Sequence, residues 1–484
     1  MYLMLQSLSA AIPEIWLLAS AIILLMVGVF LKKHSFPIVY WLSFFVLIMG
    51  IVGQIIWFPD ATVTLFNGMF ISKPALTILK IVCWMAAAVC LLISPSYIQT
   101  MPNLSRFEFP ILILFAVLGM SLMLSANHLI TLYVSIELQS LALYVLAAFN
   151  RDHLRSSEAG LKYFALGALS SGLLLYGCSL LYGFSGNAGF AQIQQYVQDT
   201  AAMPAGFVVA LVFVVSGLLF KLSAVPFHMW TPDVYPGSPT PITAFFTTAP
   251  KLASLGLLLR ISLEFFPQAQ ESWKQIFWLA AVGSMLIGAF AAIRQQNIKR
   301  LLAYSSIGHI GYAMIGLVIG GNGPISALLL YMMIYIGMSL GVFACLLTMY
   351  SAKKNFENLD DFAGLSKSNP VIAFVLTLLL LSMAGLPPLA GFWGKFYIFI
   401  GAVQQQYYVL AIIGVVSSVV AAFYYLKIIK IMYVDEGKDV PVRKLPVAGA
   451  TIAIIASLLM IGLFIFPNSL INLMDQTAAN LILR

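Results

Sequence analysis

Apolar runs of about 20 residues, each closed off by charged or Pro/Gly-rich punctuation, recur along the whole chain. That is the length an α-helix needs to cross hydrocarbon. The runs lie near 13–31, 38–58, 74–93, 109–125, 128–149, 157–183, 205–225, 240–263, 274–293, 299–319, 324–350, 371–401, 406–430 and 446–466. They predict an all-α polytopic membrane protein of about 14 transmembrane helices, one membrane domain over 1–484.

Two runs depart from a plain helix. The twelfth, Val371 to Gly401, is about 31 residues, or about 46 Å as helix against about 30 Å of hydrocarbon, and Gly385-Leu386-Pro387-Pro388 interrupts it. The seventh runs through Lys221 into Val225-Pro226 and then HMWTPDVYPGSPTP. Both are expected to be broken helices. Such breaks survive at membrane depth only where they are buried in protein or line a wet cavity. Paired interruptions in two halves mark inverted repeats with a functional site at the break. Spans 4–8 (109–263) and 9–13 (274–430) are therefore the expected inverted five-helix repeats, with broken helices 7 and 12.

Composition agrees and removes the soluble alternatives. The chain is 61% hydrophobic and 9% charged, where a soluble globule of 484 residues would carry about a quarter charged residues. The N-terminus lacks a basic region before its first apolar run, so that run is expected to remain as a span. Cys83, Cys90, Cys178 and Cys345 sit in apolar segments without CxxC spacing and read as packing residues. There is no Gly-rich phosphate loop, no HExxH, no cysteine framework for metal and no Ser-centred nucleophile elbow.

The charge of +8 reports topology. With alternate loops assigned to opposite sides, sixteen of the 25 Lys and Arg fall on one side, and only Lys73, Lys274 and Arg484 on the other. By the positive-inside rule the basic face is cytoplasmic, and an even number of spans puts both termini outside.

Five ionisable residues lie inside the runs: Glu137, Lys162, Lys221, Lys251 and Lys395. A charge at the bilayer centre costs about 2.5–3.5 kcal/mol on insertion scales, so such residues usually face a bundle interior or a water-filled path. Glu137 is the only formal charge between Ile111 and Phe149. It either stays neutral or is stabilised by a neighbouring cation, and Lys162, across a short loop, is one such partner. Lys162 also fits a lysine snorkelling to the basic face. Lys221 and Lys395 flank the two breaks, and Lys251 lies close to mid-membrane. A lysine that alternates between charged and neutral forms is what a proton carrier requires. His228 and His309 are placed to act as relays between lysines, or equally to hydrogen-bond at helix interfaces.

At YVSIELQSLALYVL (133–146), FKLSAVPFHMWTPDVYPGSPTP (220–241), NIKRLLAYSSIGHIGY (297–312) and MAGLPPLAGFWGKF (383–396), the chain resembles the antiporter-like membrane subunits of proton-pumping NADH:quinone oxidoreductase, respiratory complex I. TPDVYPGSPTP, the lysine of GFWGKF and the short extension after span 14 resemble the N-type branch, as distinct from the L and M types.

The resemblance implies a charged pair of Glu137 and Lys221 modulated by Lys162, a central relay at Lys251 and an exit-side residue at Lys395. It implies proton translocation coupled to electron transfer from NADH to quinone in other subunits. The complex would use NAD, FMN, iron-sulfur clusters and quinone, with no cofactor or metal in this chain. It further implies a hetero-oligomer with other complex I membrane subunits in the cell inner (plasma) membrane, and no nucleic-acid partner. No acid in span 10 matches Glu137, which leaves His309 as the nearest polar group there. The alternative is a subunit of a monovalent cation/proton antiporter, which shares the fold and most of these charges. A structural membrane scaffold is a third reading.

Overall fold

A computed structural model describes residues 9–31, 35–200, 203–265, 270–349, 356–436 and 446–482. Thirteen helices among the described residues are long and apolar enough to cross a membrane. The remaining span, the twelfth, is a broken one, Pro370–Ala384 followed by Ala390–Gln404. In order, spans 1–6 are Ile12–Phe30, Ser35–Ile56, Pro74–Ile93, Glu108–Ser125, Leu129–Ala147 and Leu154–Ser185. Span 7 is Ala205–Leu222 with the short helix Thr231–Gly237 beyond its break, and span 8 is Thr240–Thr247 continued by Ala249–Leu259. Spans 9–11 are Gln270–Ile293, Ile298–Ile319 and Asn322–Met349, and spans 13 and 14 are Tyr408–Tyr433 and Val447–Ile465.

Three smaller elements lie outside this set. The antiparallel pair Val63–Leu65 and Phe70–Ser72 and the helix Phe190–Asp199 sit at one end of the bundle. The closing helix Asn468–Ile482 turns Met474, Thr477, Ala478 and Leu481 inward and packs on span 11.

The interior is built around spans 8, 10 and 11. Span 8 is buried throughout its apolar window, and spans 10 and 11 are 89% buried there. Spans 1, 2, 13 and 14 instead turn Phe30, Phe45, Val419 and Leu458 outward, as lipid-facing walls do. The loop assignment by sides is visible in the contacts. On the basic face Asn297 bridges Asn358, and Lys299 meets Glu357 at 3.0 Å. At the other end His128 bridges Gly189, and Asn127 donates to the Gly68 carbonyl. Lys32, Lys33, Lys353, Lys354, Lys438, Arg443, Lys444 and Arg484 lie outside the described residues.

Both expected breaks are present and are built alike. Span 7 ends in Ser223 at φ +62°, and the first half of span 12 ends in Gly385 at φ +85°. Each break holds a cis X-Pro peptide three residues later, at Pro226 and Pro388. Backbone groups freed at a break must be satisfied inside the protein. The Trp230 indole donates to the Phe220 carbonyl at 2.9 Å, and Lys395 donates to the Ala384 carbonyl at 2.9 Å. Serine hydroxyls take the amide side, Ser284 accepting from Val225 N and Ser382 from Gly391 N.

Gly391 permits the second closure, since a Cβ there would lie 1.8 Å from the Ser382 carbonyl oxygen. Gly391→Ala is expected to lower stability by about 1–3 kcal/mol through overpacking. Gly183→Ala, with open space around its Cβ, should change little. Thermal unfolding of the assembled protein compares them, and equal midpoints would contradict the close approach.

Candidate functional site

Span 5 presents Glu137, Ser140 and Tyr144 at helical i, i+3, i+7 spacing, so they share one face. Lys221, the next-to-last residue of span 7 and 6% exposed, meets that face. Its Nζ donates to Ser140 Oγ at 2.6 Å and to Tyr144 OH at 3.3 Å. Glu137 lies one turn away from Ser140, and its buried Oε1 has no hydrogen-bond partner. Among the described residues no ion pair joins Glu137 to Lys221, so the two share a face of span 5 through the hydroxyls and not by direct contact.

Lys162 does not meet Glu137. Its Nζ lies 2.8 Å from Glu158 and 2.9 Å from Asp233, with the side chain 43% exposed toward the basic face. Helix geometry sets this direction. Span 6 approaches span 5 along Gly160 and Gly167, where an added Cβ would strike Ala148 and the Tyr144 hydroxyl. Lys162 is two residues past Gly160, about 200° around the helix, and so points toward Thr231–Gly237.

Lys251 and Lys395 lie along another stripe. Lys251 Nζ, on a side chain 1% exposed, donates to Ser306 Oγ at 2.8 Å. Ser306, His309 and Tyr312 follow at i, i+3 spacing on span 10, one above the other. His309 joins two phenols, Tyr331 of span 11 through Nδ1 and Tyr425 of span 13 through Nε2 at 3.0 Å. Tyr425 in turn bonds Ser305. Lys395 Nζ sits 5.0 Å from the centre of the Tyr312 ring and donates to Ser418 Oγ at 2.8 Å, while Ser417 donates to Tyr312 OH. His228 takes no part in this array. It is half-buried in the turn after the break, and its Nδ1 has no partner.

Several of these groups were not anticipated from the sequence. Asp233 sits inside TPDVYPG, outside every apolar run, so its charge carried no signal of cost. The hydroxyls of Ser140, Tyr144, Ser306 and Tyr425 are unremarkable in isolation, although Ser306, His309 and Tyr312 repeat every three residues in LAYSSIGHIGY. Glu14 and Lys80 form a further ion pair at 2.6 Å between spans 1 and 3, with side chains only 5% and 3% exposed. Two charges in early, otherwise apolar runs were the available clue. Among the described residues no group of three or more His, Cys, Asp or Glu could hold a metal ion.

Buried lysines partnered by hydroxyls, beside two broken helices in a helical bundle, are the features of an antiporter-like membrane subunit. Residues 126–421 match the family described as NADH:quinone oxidoreductase/Mrp antiporter, TM. The chain is 47% identical over 473 residues to NADH-quinone oxidoreductase subunit N of Parvibaculum lavamentivorans, covering 98% of this chain and 97% of that one. It is equally identical over the same length to the subunit N of Rhodospirillum rubrum, with the same coverage. A chain of respiratory complex I from Thermus thermophilus superposes with a TM-score of 0.81 at 30% identity, covering 95% of this chain and 98% of that one. A chain of the Mrp complex from a Dietzia species shares the fold, with a TM-score of 0.87 at 20% identity and 98% coverage of both. The chain belongs to the subunit N family of NADH-quinone oxidoreductases.

The Glu14–Lys80 pair generates a test of stability. Lys80→Met leaves a carboxylate buried without its cation, and is expected to cost about 3–5 kcal/mol. Adding Glu14→Leu should recover most of that loss, because both charges are then gone. Thermal unfolding of the single and double variants decides it, and a harmless single variant would contradict the pairing.

Proposed function

We propose that this chain is a proton-translocating membrane subunit of NADH:quinone oxidoreductase, coupling electron transfer in partner chains to proton movement along its own interior. The supporting observation is the set of three buried lysines, Lys221, Lys251 and Lys395, that have hydroxyl partners and, among the described residues, no ion pair. A buried ammonium without a countercharge is costly, so its charge state responds to nearby protons and nearby charge. A seryl or phenolic hydroxyl both accepts and donates, which suits it to pass a proton from one nitrogen to the next. Neutral His309 has one N–H and one acceptor nitrogen, so its bonds to Tyr331 and Tyr425 can exchange roles as a proton passes.

In this reading Glu137 with Lys221 forms the first station, under the influence of Lys162. Lys251 is the central relay, the Ser306–His309–Tyr312 stripe the bridge, and Lys395 the exit-side residue. His228 remains a possible relay only if the turn that carries it rearranges. The stretches 109–263 and 274–430 act as inverted repeats, each with its broken helix. The partners are other complex I membrane subunits, and NAD, FMN, iron-sulfur clusters and quinone belong to the rest of that assembly. The protein resides in the bacterial inner (plasma) membrane with its basic face in the cytoplasm and both termini outside.

Lys251→Ala tests the path in the intact complex reconstituted in vesicles. NADH oxidation should lose its normal yield of pumped protons, and a wild-type ratio of protons to NADH would overturn the relay. Sodium-driven proton exchange by the purified assembly in the absence of NADH would favour the antiporter reading instead.

A further inference from the structure

At the basic face, a charged cavity of about 440 Å³ opens between spans 6 and 10 and the short helix Thr231–Gly237. Its walls include Arg155, Glu158, Lys162, Asp233, Arg300 and Asn358. Asp233 stands at the centre. Its Oδ2 accepts from Lys162 of span 6 at 2.9 Å, and its Oδ1 accepts from Arg300 Nη2 of span 10 at 3.2 Å. One carboxylate thereby ties a helix of the first half of the chain to a helix of the second.

The segment carrying that carboxylate is gripped along its length by span 10. Arg300 Nε donates to the Pro232 carbonyl at 3.0 Å, and Lys299 Nζ to the Ser238 carbonyl at 3.1 Å. What the segment holds is directed inward. Tyr235, two residues beyond Asp233, places its ring centre 5.9 Å from Lys251 Nζ. Trp230, three residues before it, stacks on Tyr163 at 4.3 Å and donates to the carbonyl of Phe220, the residue preceding Lys221. A shift of this segment therefore reaches both buried lysines of the first half.

We propose that Asp233 is a positioning residue that couples the two halves of the proton path, a role resting on the path set out above. By holding Lys162 and Arg300 together, it fixes the segment that sets the surroundings of Lys221 and Lys251. Half-exposed ion pairs add little to stability. A purely structural Asp233 therefore predicts little change on its removal, whereas a coupling role predicts a loss of coordination between electron transfer and pumping.

The test uses the intact complex in proteoliposomes, with pumped protons per NADH oxidised as the readout. Asp233→Asn is expected to lower that ratio below the wild-type value, with assembly and thermal midpoint near wild type. Asp233→Glu should recover it, and Arg300→Gln, which keeps the carboxylate, should lower it without adding to the effect of Asp233→Asn. An unchanged ratio in Asp233→Asn overturns the proposal, as does strict additivity with Arg300→Gln. If Asp233→Asn fails to assemble, the Arg300→Gln ratio decides alone, a wild-type value overturning the proposal. Lys251→Ala run in parallel separates the two ideas: a normal ratio there removes the path itself, whereas a fall there beside an unaffected Asp233→Asn removes only the coupling role.

Discussion

Hydrocarbon offers no partner to a free amide or carbonyl, and this constraint organises the whole chain. Most of the spans, as far as the described residues go, meet it by hydrogen-bonding within themselves. The two that break must close their exposed ends with side chains, and those that take the freed carbonyls, Trp230 and Lys395, come from the motifs at the breaks. Trp230, Ser284, Ser382 and Lys395 seal the breaks. The irregular backbone beside each interior lysine is thus held in part by the segment that carries the lysine and in part by serines outside it.

Burial makes charge scarce inside the bundle, and the arrangement follows from that scarcity. Lys221, Lys251 and Lys395 lie with hydroxyls rather than acids, while the complete ion pairs Lys162–Asp233, Arg300–Asp233 and Lys299–Glu357 gather toward the basic face. The Glu14–Lys80 pair is the buried exception, and it lies outside the Ser306–His309–Tyr312 stripe. Apart from that pair, the ion-paired charges named here gather at one face and the hydroxyl-bonded lysines in the interior.

The span pattern and both interruptions were legible in the sequence because they depend on length, hydropathy and proline, which act locally. Glu137 and the three interior lysines Lys221, Lys251 and Lys395 were legible because a charge in an apolar run is conspicuous. Direction around a helix was not. The expected contact of Lys162 with Glu137 failed because the glycines at 160 and 167, and not the short loop, decide which side of span 6 faces span 5. Asp233 was hidden for the opposite reason: in a Pro-rich segment an acid looks solvated, and only the fold brings Arg300 to it from 67 residues away.

The two breaks share a plan but differ in what seals the carbonyl. In the first it is an indole N–H, which is neutral under all conditions. In the second it is the Lys395 ammonium, and a charge-assisted hydrogen bond is about twice as strong as a neutral one. Loss of a proton from Lys395 would therefore slacken the bond that holds the two halves of its own helix, while the Trp230 closure would be unaffected. Of the two closures, only the second thus depends for its strength on whether the amine that makes it is protonated.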